Sequence, residues 1–345
     1  MTMPVKKTEN TALKALKQQL KEDKLGTLYL LHGEEAYLRD FYLGEMKKRL
    51  LGAGMEEFNL HLLQGKQATP KAISEAVDCL PMMSQRTLVQ VVDYDLFKAP
   101  AADRDALVQL FEQLPDYVCL VFVYDLIEYK PDARTKLAQT IKARGLAVPF
   151  PHQEQGDLVD WICRRFRAID RDIDSEQARY LIFLCGDLMT GLASEIAKIG
   201  AYAKGRRITR EDIDAVAIPR LDARVFQMTD AVTARDFDRA ARVLGELLDQ
   251  QESPIMILSV LGRHLRQLYT ARLALERGHS SQYLVQLWKM NPYPAGKLMN
   301  AASRFECSWC RRAVARCAAT DLAMKSAGGD PAELLTGFLL ELANG

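Results

Sequence analysis

The chain has 345 residues, of which 48% are apolar and 26% charged, with a formal net charge of +1. It is too long for one core and too apolar for a disordered chain, so two or three folded domains are expected. The near-neutral balance excludes a global basic field as the source of nucleic-acid affinity, and no run approaches the roughly 18 apolar residues of a membrane helix.

Helix and strand signals alternate over the first 150 residues. Thr8 to Glu22 places Leu13, Leu16 and Leu20 on one helical face. Thr27 to Leu31 is a short apolar run that ends just before Gly33, which predicts a buried strand. Ala36 to Leu51 reads as a helix, and Leu60 to Leu63 as a weak strand. Thr69 followed by Pro70 is a helix start, an N-cap with proline at the first helical position. Thr87 to Val92 is a strand, Asp103 to Leu114 a helix, and Val118 to Val123 the most strand-like run of the chain. Pro131 to Arg144 reads as a helix stopped by Gly145, and Ala147 to Phe150 as a last strand. Strands that alternate with helices imply right-handed crossovers and a mostly parallel sheet. Residues 1–150 are therefore expected to form an α/β domain.

Strand signals stop after Pro151. Asp157 to Ile169, Ser175 to Cys185, Leu188 to Lys204 and Arg210 to Val216 carry helical patterns. Asp174 to Gln177 and Thr209 to Asp212 resemble capping boxes, and Lys204-Gly205-Arg206-Arg207 a turn. A small helical domain is expected over 151–218 and a second over 219–345. The latter has helices at Asp236 to Asp249, from Ser253-Pro254 to about Arg277, and from Asp330-Pro331 to Ala343. The overall expectation is α/β plus all-α.

Several motifs touch on chemistry. Leu31-His32-Gly33-Glu34-Glu35 sits where a nucleotide-binding domain would carry its phosphate loop. Such a loop needs several glycines and a Lys-Ser/Thr pair; here only Gly33 is present, and Glu34 and Glu35 would repel a triphosphate. Val89 to Asp93 has the shape of a strand whose terminal carboxylate holds magnesium. Without the phosphate loop, Asp93 and Asp95 read as solvated strand-end carboxylates. Cys307-Ser308-Trp309-Cys310 lacks the second pair that structural zinc requires, so buried packing is the expected role. His32 has no triad partner and reads as a partly buried histidine. No constellation argues for a catalytic site, a metal or a cofactor. Basic clusters at Arg164-Arg165-Phe166-Arg167, Lys204 to Arg210, and Arg311-Arg312 with Arg316 are interleaved with acids, as solvated helix faces are. The seven cysteines, at 79, 119, 163, 185, 307, 310 and 317, suit free thiols in a reducing compartment, most of them buried. Met1 to Lys7 leads into Thr8-Glu9-Asn10 with no apolar signal core, so a cytoplasmic location is expected.

The least ordinary segment is Leu80-Pro81-Met82-Met83-Ser84-Gln85-Arg86, between a helix expected from Thr69 to Cys79 and the strand at Thr87. Helix-to-strand connections run over the surface and are normally polar. Two adjacent methionines behind a proline either turn inward as core filler or project as an apolar anchor for a partner's pocket. Periodicity leaves both open.

The order and spacing of these segments resemble the delta subunit family of the bacterial DNA polymerase III clamp loader. The residues that carry the resemblance are Tyr29 to Glu35, Leu80 to Val89, Gly186-Asp187-Leu188 with Glu195 to Ile199, Ile208 to Ile213, Val225 to Ala231, and Pro254 to Leu258. The resemblance implies an AAA+-like parallel-sheet domain without a working ATPase site, a helical lid, and a helical collar that assembles into a five-membered ring. It implies that Met82 and Met83, with Leu80 and Pro81 beside them, occupy the place of the family's clamp-binding plug, where the family often has Phe-Phe or Leu-Phe. It further implies a non-catalytic subunit of a DNA polymerase holoenzyme, without a cofactor. The partners would be the beta sliding clamp, the gamma/tau ATPase subunits and delta-prime through the collar, and primed DNA within the complex, with no membrane. Two other readings stand beside it. An active AAA+ ATPase subunit would bind nucleotide; a DNA-binding adaptor would bind DNA strongly and in a salt-sensitive way by itself.

Overall fold

In the computed structural model, described residues are 10–51, 54, 56–234, 236–326 and 329–344. The segment Met1 to Lys7 and the expected helix start at Thr8 lie outside them. The chain divides into two units. One gathers the chain up to Gln153 together with Leu188–Thr190; the other gathers Glu154–Asp187 and the chain from Gly191 on.

The first unit holds α1 (Thr11–Glu22), β1 (Leu28–His32), α2 (Ala36–Leu51), α3 (Glu56–Asn59), β2 (Leu60–Gln64), α4 (Pro70–Val77), β3 (Thr87–Val92), α5 (Ala101–Glu112), β4 (Val118–Val123), α6 (Lys136–Arg144) and β5 (Leu146–Pro149). Among the described residues its strands form one sheet in the order β2-β3-β4-β1-β5. Every pairing is parallel. Alternate residues feed two cores, one on each face. Leu30, Val89, Val91, Leu120 and Phe122 pack with Ile73, Phe111 and Ile141 from α4, α5 and α6. Tyr29, Leu31, Leu88 and Val121 pack with Leu16 and Met46 from α1 and α2. Because both faces are covered, β4 reads as a continuous apolar run and β3 as one interrupted only by Gln90 after Thr87.

Most boundaries fall within two residues of expectation, and two differences have a visible cause or consequence. The helix expected from Pro131 begins only at Lys136. Thr135 caps it by accepting the Ala138 N–H at 3.3 Å. Asp132 accepts the Arg134 N–H at 3.1 Å, so local side-chain bonds hold the preceding residues as a turn. The helix expected to reach Cys79 stops at Val77.

The second unit is helical: α7 (Gln155–Arg167), α8 (Ser175–Cys185), α9 (Met189–Tyr202), α10 (Arg210–Val216), α11 (Leu221–Thr233), α12 (Phe237–Asp249), α13 (Pro254–Glu276), α14 (Ser281–Trp288), α15 (Pro292–Ala302), α16 (Cys307–Ser326) and α17 (Pro331–Asn344). Thr209 and Asp212 form the full capping box of α10. Asp174 makes only one half of its box, accepting the Gln177 N–H. Helix α13 contributes to two cores, one shared with α11, α12, α16 and α17, the other with α14 and α15. Among the described residues no single helix is long and apolar enough to cross a membrane.

His264 is buried in this unit on α13, its ring 4.7 Å from that of Phe226. Burial disfavours the charged imidazolium and lowers its pKa to about 4. The unfolded chain therefore takes up a proton near pH 6.5 that the folded chain refuses. Stability from this group is complete above pH 6.5 and falls toward pH 4, by up to about 1.4 kcal/mol per pH unit. Denaturant titrations of the wild-type chain over that range should show this slope, and His264→Leu should flatten it. An unchanged slope in the variant would contradict the assignment.

Candidate functional site

The connection from α4 to β3 is braced at its base and bare at its tip. Helix α4 starts as the sequence predicts: Thr69 accepts the Ala72 N–H at 3.2 Å, with Pro70 at the first helical position. The chain then leaves the helix and returns to the sheet at Thr87, whose hydroxyl donates to the Cys79 carbonyl at 3.3 Å. Between these points the main chain of Met82 is clipped by one buried side chain. The Met82 N–H donates to Asn59 Oδ1 at 2.7 Å, and Asn59 Nδ2 donates to the Met82 carbonyl at 2.9 Å. Met83 has φ +51°, in the left-handed region that costs a non-glycine residue about 1 kcal/mol or more. The clip before it and Ser84 after it hold that conformation; the Ser84 hydroxyl lies 3.1 Å from the Leu50 carbonyl.

Arg86 anchors the far end. Its guanidinium donates to the carbonyls of Leu25 and Gly26, both at 2.7 Å, and of Val118 at 2.8 Å. One side chain thus joins the loop to the entry of β1 and the start of β4.

The apolar tip points outward. Met83 is 89% exposed, Leu80 70% and Met82 57%, while Pro81 is half-buried. The inward-packing alternative is not what the fold adopts. Phe58, one residue before the clip, is exposed as well and adds an aromatic ring to the neighbourhood. The result is an apolar knob whose backbone is already ordered. A partner that covers it gains apolar burial without the entropy of arranging the loop.

A second place to look for chemistry is the carboxyl end of the sheet, where ligands bind in open α/β folds. Here the β1–α2 turn is short and occupied. Gly33 has φ +121°, and a Cβ on it would lie 2.4 Å from the Phe150 carbonyl oxygen. The Phe150 N–H donates to the His32 carbonyl at 2.7 Å, and the Phe150 carbonyl accepts the Glu35 N–H at 3.0 Å. An amide that would face a phosphate is committed to the protein's own chain. His32 is half-buried beside Tyr129, ring centroids 4.6 Å apart, and burial lowers its pKa.

Asp93 and Asp95 are not the solvated carboxylates expected. Asp93 Oδ1 accepts the N–H groups of Asp125, Leu126 and Ile127 at 2.8, 2.9 and 3.3 Å. Asp95 Oδ1 accepts those of Phe97 and Lys98. Both caps follow from loop geometry over 30 residues away or just downstream, which strand periodicity does not encode. Asp93→Ala should cost about 2 kcal/mol, because three amides lose one charged acceptor. Chemical denaturation would check this, and a change within about 0.5 kcal/mol would contradict it.

The other sequence candidates are dispersed. Arg206 and Arg207 pair with Asp172 and Asp174 at 2.8 and 3.1 Å, Arg210 lies over the Tyr180 ring, and Arg316 pairs with Glu341. All seven cysteines are free: Cys119, Cys310 and Cys317 are buried, Cys163, Cys185 and Cys307 half-buried, and Cys79 exposed. Burial is therefore less general among them than expected. Among the described residues no cluster of three or more His, Cys, Asp or Glu side chains is disposed to hold a metal. Asn59 and Arg86 carry the knob, and sequence reasoning gave neither a role. A buried asparagine at a helix–strand junction has no periodic signature.

Comparison with known proteins gives the family. The family described as "DNA polymerase III, delta subunit" matches residues 29–150, which include the knob, and "DNA polymerase III delta subunit, C-terminal domain" matches residues 222–342. The chain belongs to the DNA polymerase III delta subunit family. It is 23% identical over 332 residues to DNA polymerase III subunit delta of Bacillus subtilis (strain 168), covering 94% of this chain and 95% of that one. It is 22% identical over 260 residues to the probable delta subunit of Aquifex aeolicus (strain VF5), covering 73% and 72%. A solved Bacillus subtilis DNA clamp loader delta protein superposes with a TM-score of 0.58 at 21% identity, over 96% of this chain and 100% of that one. Together with the sheet order, this makes the fold of the delta-family chain α/β plus all-α and AAA+-like.

Proposed function

We propose that this delta-family chain is the ring-gripping subunit of a clamp loader. In this reading Met82 and Met83, with Leu80 and Pro81 beside them, enter an apolar pocket of the beta sliding clamp and help open the ring for loading onto primed DNA. The observation that carries it is the pair of exposed methionines on a loop whose main chain is clipped by Asn59 and stapled by Arg86.

A closed ring opens only if the loader binds the open or strained form more tightly than the closed one. The knob supplies the anchor, and α4, packed through Ile73, Ala76 and Val77, supplies a stiff element directly behind it. The division of labour follows the same proposal. Residues 1–150 carry the knob, 151–218 act as a lid, and 219–345 form the collar that meets the gamma/tau ATPase subunits and delta-prime. The chain works in the cytoplasm and has no ATPase activity of its own. That last point is supported by the Gly33 turn closed by Phe150 and by the engagement of Asp93. An equilibrium titration with labelled ATP should show no saturable binding to the isolated chain.

The direct experiment is a titration of the purified full-length chain against the sliding clamp of the same organism. A saturable complex is expected in the absence of nucleotide. Absence of a complex at any attainable concentration would overturn the proposal.

A further inference from the structure

The Cys307-Ser308-Trp309-Cys310 segment plays no part in gripping a ring. It opens α16, with Cys307 as the first helical residue and the Cys310 N–H donating to the Glu306 carbonyl at 3.1 Å. Side chains three apart on a helix are neighbours, with Cβ atoms about 5–6 Å apart. A disulfide asks for about 3.5–4.5 Å, and a first helical turn tightens readily toward the narrower 3₁₀ form.

The two thiols differ in access. Cys307 is half-exposed and shares a hydrogen bond with the Tyr269 hydroxyl of α13. Cys310 is 1% exposed, in the core with Leu268, Ala271 and Leu298. Burial pushes the Cys310 thiol up to about 11 and shields it from solutes in the free dithiol. Cys317 lies further along the helix, its Sγ 3.9 Å from the Leu258 carbonyl. Zinc would need ligands this site lacks.

We propose that Cys307 and Cys310 are a dithiol–disulfide site that reacts with low-molecular-weight disulfides, Cys307 being the attacking thiol and Cys310 the resolving one. The Cys307 thiolate attacks one sulfur of the small disulfide, forms a mixed disulfide and expels one thiolate. The expelled thiolate accepts the Cys310 proton, and the Cys310 thiolate so formed attacks Cys307 Sγ and displaces the second thiolate. Two protein thiols are oxidised, the small disulfide is reduced to two thiols, and the two cysteine protons pass to them. The closed ring staples the first turn of α16, next to the stacked Phe305 and Trp309, whose centroids are 4.1 Å apart.

The test incubates the full-length folded chain in buffers of reduced and oxidised glutathione, quenches with acid, alkylates, and maps the peptides by mass spectrometry. In the wild-type chain the expected product is one internal disulfide joining Cys307 to Cys310, with two of the seven thiols lost. Cys310→Ala should instead accumulate glutathione on Cys307, and Cys307→Ser should leave Cys310 reduced. The surface variant Cys307→Ser keeps the test valid even where Cys310→Ala folds poorly. A wild-type chain in which both cysteines alkylate freely across the series would overturn the proposal. So would a Cys307→Ser chain that takes up glutathione on Cys310.

Discussion

Replacing Met82 and Met83 together with alanine is expected to weaken clamp binding at least a hundredfold. Full burial of one such side chain contributes about 1.5–3 kcal/mol by area transfer, so the pair contributes roughly 3 kcal/mol at the low end. At about 1.4 kcal/mol per tenfold, that is two decades or more in Kd. The fold should not register the change. Both side chains stand in solvent, and the Met82 contacts that fix the loop use its main chain, which alanine keeps. Thermal unfolding and assembly with the other loader subunits should therefore match wild type. Binding isotherms that coincide with wild type would reject these two residues as the grip. In the proposed reading, methionine where the resemblance implies Phe-Phe or Leu-Phe changes how the clamp's pocket would be filled. A flexible thioether adapts to an irregular cavity, whereas a ring demands one shape.

Arg86→Met is expected to lower the stability of the first unit by about 3 kcal/mol or more. Three main-chain carbonyls, those of Leu25, Gly26 and Val118, lose a charged donor at once; the bonds are part-buried, and a hydrogen bond to a charged group contributes about 1.5–3 kcal/mol. Methionine preserves the apolar stem and removes only the guanidinium. Clamp affinity should fall as well, since the loop loses its fixed end. Urea titration followed by a clamp titration at a temperature where the variant is folded separates the two effects. A stability change under about 0.5 kcal/mol would show that water replaces the guanidinium without loss, and the loop would not owe its shape to Arg86.

Much of the scaffold was legible in the residues. Strand β4 is an unbroken apolar run and β3 is broken only by Gln90 after its opening Thr87, because each is covered on both faces, and their limits, Thr87–Val92 and Val118–Val123, match the expected ones. The starts of α4 and α10 were readable because Thr69 and Thr209 satisfy free helix N–H groups with their own side chains. The start of α6 was not, since Asp132 and Thr135 compete locally for main-chain bonds that a helix would otherwise take. The place of the knob came from segment order and resemblance. Its outward direction required the structure, because Leu, Pro and Met carry no period over so short a span. The groups that shape the loop were invisible for a different reason. Asn59 acts across 23 residues and Arg86 across as many as 61, so their partners exist only after the sheet has formed. The same holds for Asp93, whose three amide partners arrive with the segment after β4.

The central claim is that two sulfur-bearing side chains are covered when the clamp is bound. Peroxide converts accessible methionine to its sulfoxide, and Met82 and Met83 are open to it in the free chain. Peptide-resolved oxidation rates, measured with and without saturating clamp, report on each sulfur separately. The account predicts that both rates drop sharply in the complex while those of other exposed methionines, such as Met256, stay as they were. Equal oxidation of Met82 and Met83 in the free and the clamp-bound chain would contradict it.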